Sequence, residues 1–325
     1  MNTKELKSRA IQRLEGAAQA GKIVLIYCGL VLGSAAAVTV VNYLLGLVIN
    51  QSGGLGNMGL RTMLSTVQTL LPLVRSLIIM AIDLGFLAVM LRIARGQYAS
   101  PQTIRLGFAR FWPLLRLQIL KGLIFFGIAL FTNYAAMAIF FLTPLGKPAV
   151  SALLPLVNSG VTDPAAIMAS EAYGDFLAAL LPMLAIWALL FLPTAAPVAY
   201  RYRMAYYLLI DNPRMGAMAA MRESRFLMQG RKVQLFRLDL SFWWYYAALS
   251  LATVVCYGDQ ILPMLGVSLS GDWGFFLTYG AYLLLEFAIY YLLRCRVEVT
   301  YALYYDDIRP KETSDGVVLG NIFQM

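Results

Sequence analysis

RYRMAYYLLIDNPRMGAMAAMRESRFLMQGRKVQLFR, residues 201–237, is the stretch whose reading decides the fold. Eight of its residues are Lys or Arg, and apolar runs long enough to cross a bilayer flank it on both sides. Positive charge gathered between two such runs marks a loop kept on the cytoplasmic side. The orientation of every other segment follows from it.

The totals agree. Sixty per cent of the 325 residues are hydrophobic and 13% are charged, against roughly 25% charged in a soluble domain. The net charge of +9 lies between apolar runs, where it reads as topology and attraction to anionic headgroups, not as nucleic-acid binding. There is no histidine, which removes the usual general base and the commonest metal ligand. Cys28, Cys256 and Cys295 form no CxxC pair and read as small buried hydrophobes. No metal site, cofactor or catalytic residue is expected. The polar first 22 residues and the long apolar run after them do not form a cleavable signal.

Working outward, residues 1–22 read as an amphipathic helix on the inner surface, with Leu6, Ala10, Leu14 and Ala17 on one face; a merely solvated helix fits nearly as well. Ile23 to Ile49 carries no charge and spans about 40 Å at 1.5 Å per residue. Gly54, Gly56 and Gly59 spell GxGxxG, but no strand precedes them, so they read as an outer turn. Ser100-Pro101 looks like a helix cap, and the stripe Ile104, Phe108, Phe111 and Leu115 predicts a second interfacial helix with Trp112 at headgroup depth. Residues 143–173 predict a partly helical outer cap, with a start at Asp163-Pro164. Asn212-Pro213 predicts a helix over 213–229. Its uncharged arc is Gly216, Ala217, Ala220, Met221, Ser224, Leu227 and Met228, and Gly230 ends it.

The fold class expected is an all-α polytopic membrane protein with six transmembrane helices, at about 23–49, 62–91, 122–142, 176–200, 240–262 and 275–293, together with amphipathic cytoplasmic helices. Residues 297–325 read as the cytoplasmic C-terminal tail, polar and frayed from Asp306 onward. On this topology 23 of the 26 Lys and Arg lie inside, with both termini cytoplasmic. Three spans end in arginine pairs, Arg92/Arg95, Arg201/Arg203 and Arg294/Arg296, each followed by tyrosine and a breaker. Either a threefold repeat or topogenic selection accounts for them.

Three blocks carry a resemblance: KELKSRAIQRL, GFLAVMLRIARGQYASPQTIRLGF, and the central block from RYRMAYYLLIDNPRMGAMAAMRESRFLMQGRK through FWWY. They resemble the bacterial integral-membrane family catalogued as domain of unknown function 975, over most of the chain. The resemblance implies a multi-pass protein of the bacterial cytoplasmic (inner) membrane with no assigned activity, and brings no site residues. A more distant likeness is to the membrane domain of some glycerophosphodiester phosphodiesterases. Their catalytic barrel and histidines have no counterpart here.

Charges inside a span are costly and mark candidate sites. Asp83 and Glu286 lie nine and eight residues before Arg92 and Arg294, so both sit about 12–14 Å from the inner boundary. Two acids at one depth can share a proton or hold a cation. Alternatively each is held by tyrosine, threonine or backbone donors. Arg75 lies about 12 Å along the helix from Asp83 and is not expected to pair with it. Pro193 and Pro197 either break the fourth span beside a pocket or only kink it. Arg105, Arg110, Arg116, Arg214, Arg222, Arg225, Arg231 and Lys232 are candidates to bind anionic lipid or a protein partner. Two functions are expected to compete: transport or export, as carrier or accessory subunit, and a non-transporting scaffold, with homo-oligomers compatible with either. No HExxH or GxSxG motif supports an enzyme.

Overall fold

A computed structural model describes residues 3–51, 58–158, 167, 170–258 and 272–310. Gly54 and Gly56, Asp163-Pro164, Asp259 and the tail from 311 onward lie outside the described residues. All regular structure among the described residues is helical: α1 (Thr3–Glu15), α2 (Ala20–Gln51), α3 (Met58–Ala94), a 3-10 turn (Pro101–Arg105), α4 (Leu106–Ala109), α5 (Phe111–Leu142), α6 (Lys147–Asn158), α7 (Glu171–Tyr202), α8 (Ala205–Asp211), α9 (Ala217–Leu227), α10 (Lys232–Leu240), α11 (Trp243–Cys256), α12 (Asp272–Ile289) and α13 (Cys295–Ile308). Among the described residues five helices are long and apolar enough to cross a membrane. The bent pair α10–α11 passes the same test when its two halves are taken together, as a broken span or a re-entrant loop.

That pair differs from the straight span expected at 240–262. Ser241 and Phe242 interrupt the helix, the two halves meet at 61°, and the 14 residues of α11 rise only about 21 Å. The third apolar helix also departs from expectation. It starts at Phe111, not near Gly122, because the predicted interfacial helix breaks at Arg110. Ser100 does cap the 3-10 turn by accepting from the Gln102 amide at 3.3 Å, with Pro101 in the first turn. The turn and α4 lie flat on α3. A Cβ on Gly85 would strike the Ile104 backbone, and one on Gly107 would strike the Ala81 carbonyl. Ile104 is consequently buried while Phe108 stays half-exposed.

The chain forms two compact units, residues 1–114 with 204–325, and residues 115–203. The second holds most of α5, with α6 packed on α7. Helix α7 runs unbroken through Pro182, Pro193 and Pro197.

In the first unit α2 packs on α3, and α11 on α12. The most buried element is α13, which carries the start of the segment expected as a cytoplasmic tail. Val297, Val299, Tyr301, Ala302, Leu303, Tyr304 and Tyr305 are all at most 3% exposed. Helices α1 and α3 pack against it. The N-terminal helix buries Leu6 and Ala10 of its apolar face against protein. Helix α9 starts at Ala217, four residues after the expected proline start, and buries Ala217, Ala220, Met221, Ser224 and Leu227. These five belong to the uncharged arc. Gly230, at φ +71, follows the helix in the left-handed region that glycine adopts without a Cβ clash.

Candidate functional site

The site grows from one carboxylate. Asp83 lies on α3, facing α2, and its Oδ1 accepts two hydrogen bonds. One comes from the Tyr27 hydroxyl on α2 at 2.6 Å. The other comes from Arg294 Nη2 at 3.0 Å. Arg294 ends a π-helical turn, Tyr290–Arg294, set between α12 and α13. Such turns insert one residue into a helix and recur at functional positions.

Aromatic rings enclose the guanidinium. Its carbon lies 4.6 Å from the Tyr27 ring centre, 4.6 Å from Tyr290 and 5.6 Å from Phe86. Tyr27 and Phe86 pack at 4.2 Å. A weakly hydrated, planar cation suits such a cage better than an ammonium does. The Arg294 side chain is 15% exposed and that of Asp83 40%. Arg294 Nε is buried with no hydrogen-bond partner.

Glu286 sits two turns before Arg294 and interacts with the hydroxyls of Tyr282 and Tyr290. The two acids are thus linked in series through Arg294 and Tyr290. What stands on Asp83 is not Glu286 but an arginine that sequence spacing assigns to the boundary. Arg75 donates to Ser34 Oγ at 3.3 Å and to the Val31 carbonyl at 3.2 Å, tying α3 to α2. Pro193 and Pro197 are exposed on α7, beside Thr194, which bonds back to the Leu190 carbonyl at 2.8 Å. They lie in the second unit, on a continuous helix.

A second charge cluster lies at the polar end of the same unit. Arg95 clasps both oxygens of Asp211, at 2.8 and 2.7 Å, and reaches Asp306 at 3.0 Å. Arg309 and the Tyr305 hydroxyl each reach Asp211 at 2.9 Å. Burial pushes the Asp211 carboxyl up. The Arg95 hydrogen bonds and charge, the Tyr305 hydroxyl and Arg309 outweigh that and hold it below its ordinary value of 3.8. Arg9 pairs with Asp307 at 2.9 Å. Lys7 donates to the Ser241 carbonyl at 2.7 Å and lies over the Phe242 ring.

The basic candidates divide. Arg231 donates to the Ile308 carbonyl at 3.1 Å, at the end of α13, and Arg110 bonds to the Pro213 carbonyl. Both are spent on the fold. Lys232 is half-buried. Arg105, Arg116, Arg214, Arg222 and Arg225 remain exposed. On α9, exposed Met218 and Phe226 accompany Arg222 and Arg225.

Among the described residues no three His, Cys, Asp or Glu side chains gather as a metal site would require. Cys28, Cys256 and Cys295 are free thiols. Sequence reasoning missed Tyr27, Tyr290, Arg95, Asp211 and Asp306. The one visible signal was the pairing of arginine with tyrosine at span ends, and of Tyr304-Tyr305 with Asp306-Asp307.

No curated protein and no solved structure matches the chain. A family model does, over residues 1–312, and the chain belongs to that family, described as "Protein of unknown function (DUF975)".

Proposed function

We propose that this chain is a non-enzymatic protein of the bacterial cytoplasmic membrane that acts in transport or export, as carrier or accessory subunit. The observation that carries the reading is the Asp83–Arg294 pair, set among apolar helices at a π turn. Ionisable groups at such positions are expensive and mark candidate ion or substrate paths. A guanidinium has five donors, and here one is buried without an acceptor. That leaves the pair incompletely satisfied. Protonating Asp83 removes the charge that Arg294 faces. Glu286, linked through Tyr290, is then the neighbouring acid that can take the proton or the cation. Proton flux into liposomes, read with an enclosed pH dye, tests this. Asp83→Asn and Glu286→Gln are expected to change the flux of the full chain. No flux in the parent, or equal flux in all three proteins, overturns the reading.

One observation favours a second reading, a scaffold. The exposed face of α9 mixes Arg222 and Arg225 with Met218 and Phe226, a combination suited to anionic lipid surfaces. Under that reading vesicle or partner binding survives Asp83→Asn and fails when Arg222 and Arg225 are both neutralised.

A further inference from the structure

We infer a binding site for a phosphodiester in the cleft between the end of α1, the start of α2 and the turn after α3. The cleft holds about 750 Å³, a size ordinary for small-molecule sites. No acidic side chain lines it. Of its two arginines, Arg9 is already neutralised by Asp307, so Arg13 supplies the net charge. Arg13 is placed by the backbone opposite it. Its Nη1 occupies the space that a Cβ on Gly96 would fill, and Gly96 has φ +70, a conformation open to glycine.

The remaining donors are neutral. Gln19 Nε2 donates to the Tyr98 hydroxyl at 2.8 Å, which leaves the hydroxyl proton free to point into the cleft. Gln12 and Gln97 add amides, and Ile23 and Ile93 supply the apolar floor. One guanidinium with neutral donors matches an anion of single charge better than a dianion. A phosphodiester carries one negative charge, and the apolar floor beside it suits the glycerol of a phospholipid. Ile23 also begins the apolar run of α2, which puts the cleft at headgroup depth if α2 crosses the bilayer. The site goes beyond the transport reading and shares no residue with the Asp83–Arg294 pair.

The test is thermal unfolding of the full chain in detergent, with dihexanoyl phosphatidylglycerol, dihexanoyl phosphatidylcholine or inorganic phosphate added at matched ionic strength. Phosphatidylglycerol is expected to raise the midpoint of the parent, and Arg13→Gln to weaken the half-saturating concentration about tenfold or more. Arg61→Gln, an exposed charge at the opposite end of α3 from the cleft, should respond as the parent does. A response to inorganic phosphate that also needs Arg13 supports the site with a soluble ligand in place of a lipid. No response to any probe, or an Arg13→Gln response equal to the parent's, overturns the site. Proton flux unchanged in Arg13→Gln separates this result from the fate of the transport reading.

Discussion

Arg294 reaches Asp83 across 211 positions of sequence, Nη2 to Oδ1 at 3.0 Å, and the Tyr27 hydroxyl shares the same oxygen. Three helical segments are joined on one atom. The pair's energy is measurable by a double-mutant cycle. Asp83→Asn and Arg294→Gln should each lower the unfolding midpoint, and together cost less than their sum, with a coupling of about 1–3 kcal/mol. Arg294→Lys should not restore the parent midpoint, because an ammonium lacks the plane that stacks on Tyr27 and Tyr290. Additive single effects would refute the coupling.

Tyr27→Phe removes the hydroxyl and keeps the ring. A hydrogen bond to a charged group is worth about 1.5–3 kcal/mol, so the variant should be destabilised by that order while Arg294 keeps its aromatic neighbour. Denaturant unfolding in mixed micelles gives the number. A neutral result would place the Asp83 carboxylate in contact with another donor.

Two glycines set how closely the 3-10 turn and α4 approach α3. Gly85→Ala and Gly107→Ala each force a methyl into backbone, and should lower stability by about 1–3 kcal/mol or more. Gly29 and Gly127 have nothing within 4 Å of an added Cβ. Alanine there should be neutral or stabilising by up to about 1 kcal/mol, since each lies inside a helix. Parallel thermal scans of the four variants decide it.

Asp211 gives the polar cluster a pH dependence. Its carboxyl titrates below 3.8 when folded. Its contribution is therefore complete above the unfolded value and is lost as pH falls through the lower folded one. Asp211→Asn should reduce stability by about 2–3 kcal/mol near neutral pH, where Arg95 and Arg309 lose a charged partner. The gap between parent and variant should close on acidification below 3.8. A gap that stays constant with pH would mean the charge on Asp211 does not act in folding.

How much of this was legible in the sequence depended on range. The apolar lengths, the buried arc of α9 and the Gly230 stop are local properties, set by helical periodicity and glycine, and the structure has them where the pattern places them. The Asp83–Arg294 pair is not local. Counting 1.5 Å per residue assigns depth along a straight α-helix, but the π turn changes the register of Arg294, and long side chains reach across several ångströms. Helix α13 was misread for another reason. Asp306, Asp307 and Arg309 look like solvated tail residues, yet their partners, Arg95, Arg9 and Asp211 respectively, arrive from far along the chain. The tight approach of Gly107 to Ala81 leaves no mark in sequence beyond a glycine in an apolar stretch.

The Arg9–Asp307 bridge and the burial of Leu6 and Ala10 have a consequence for biogenesis. The first described helix, α1, docks on the last described one, α13. At about 5–20 residues per second, α1 waits roughly 15 to 60 seconds for its cradle to be synthesised. Throughout that interval the face that carries Leu6 and Ala10 lacks the α13 surface that it packs against in the finished fold. A nascent chain stalled before Cys295 would keep that apolar face of α1 without α13, and a protease would meet it there.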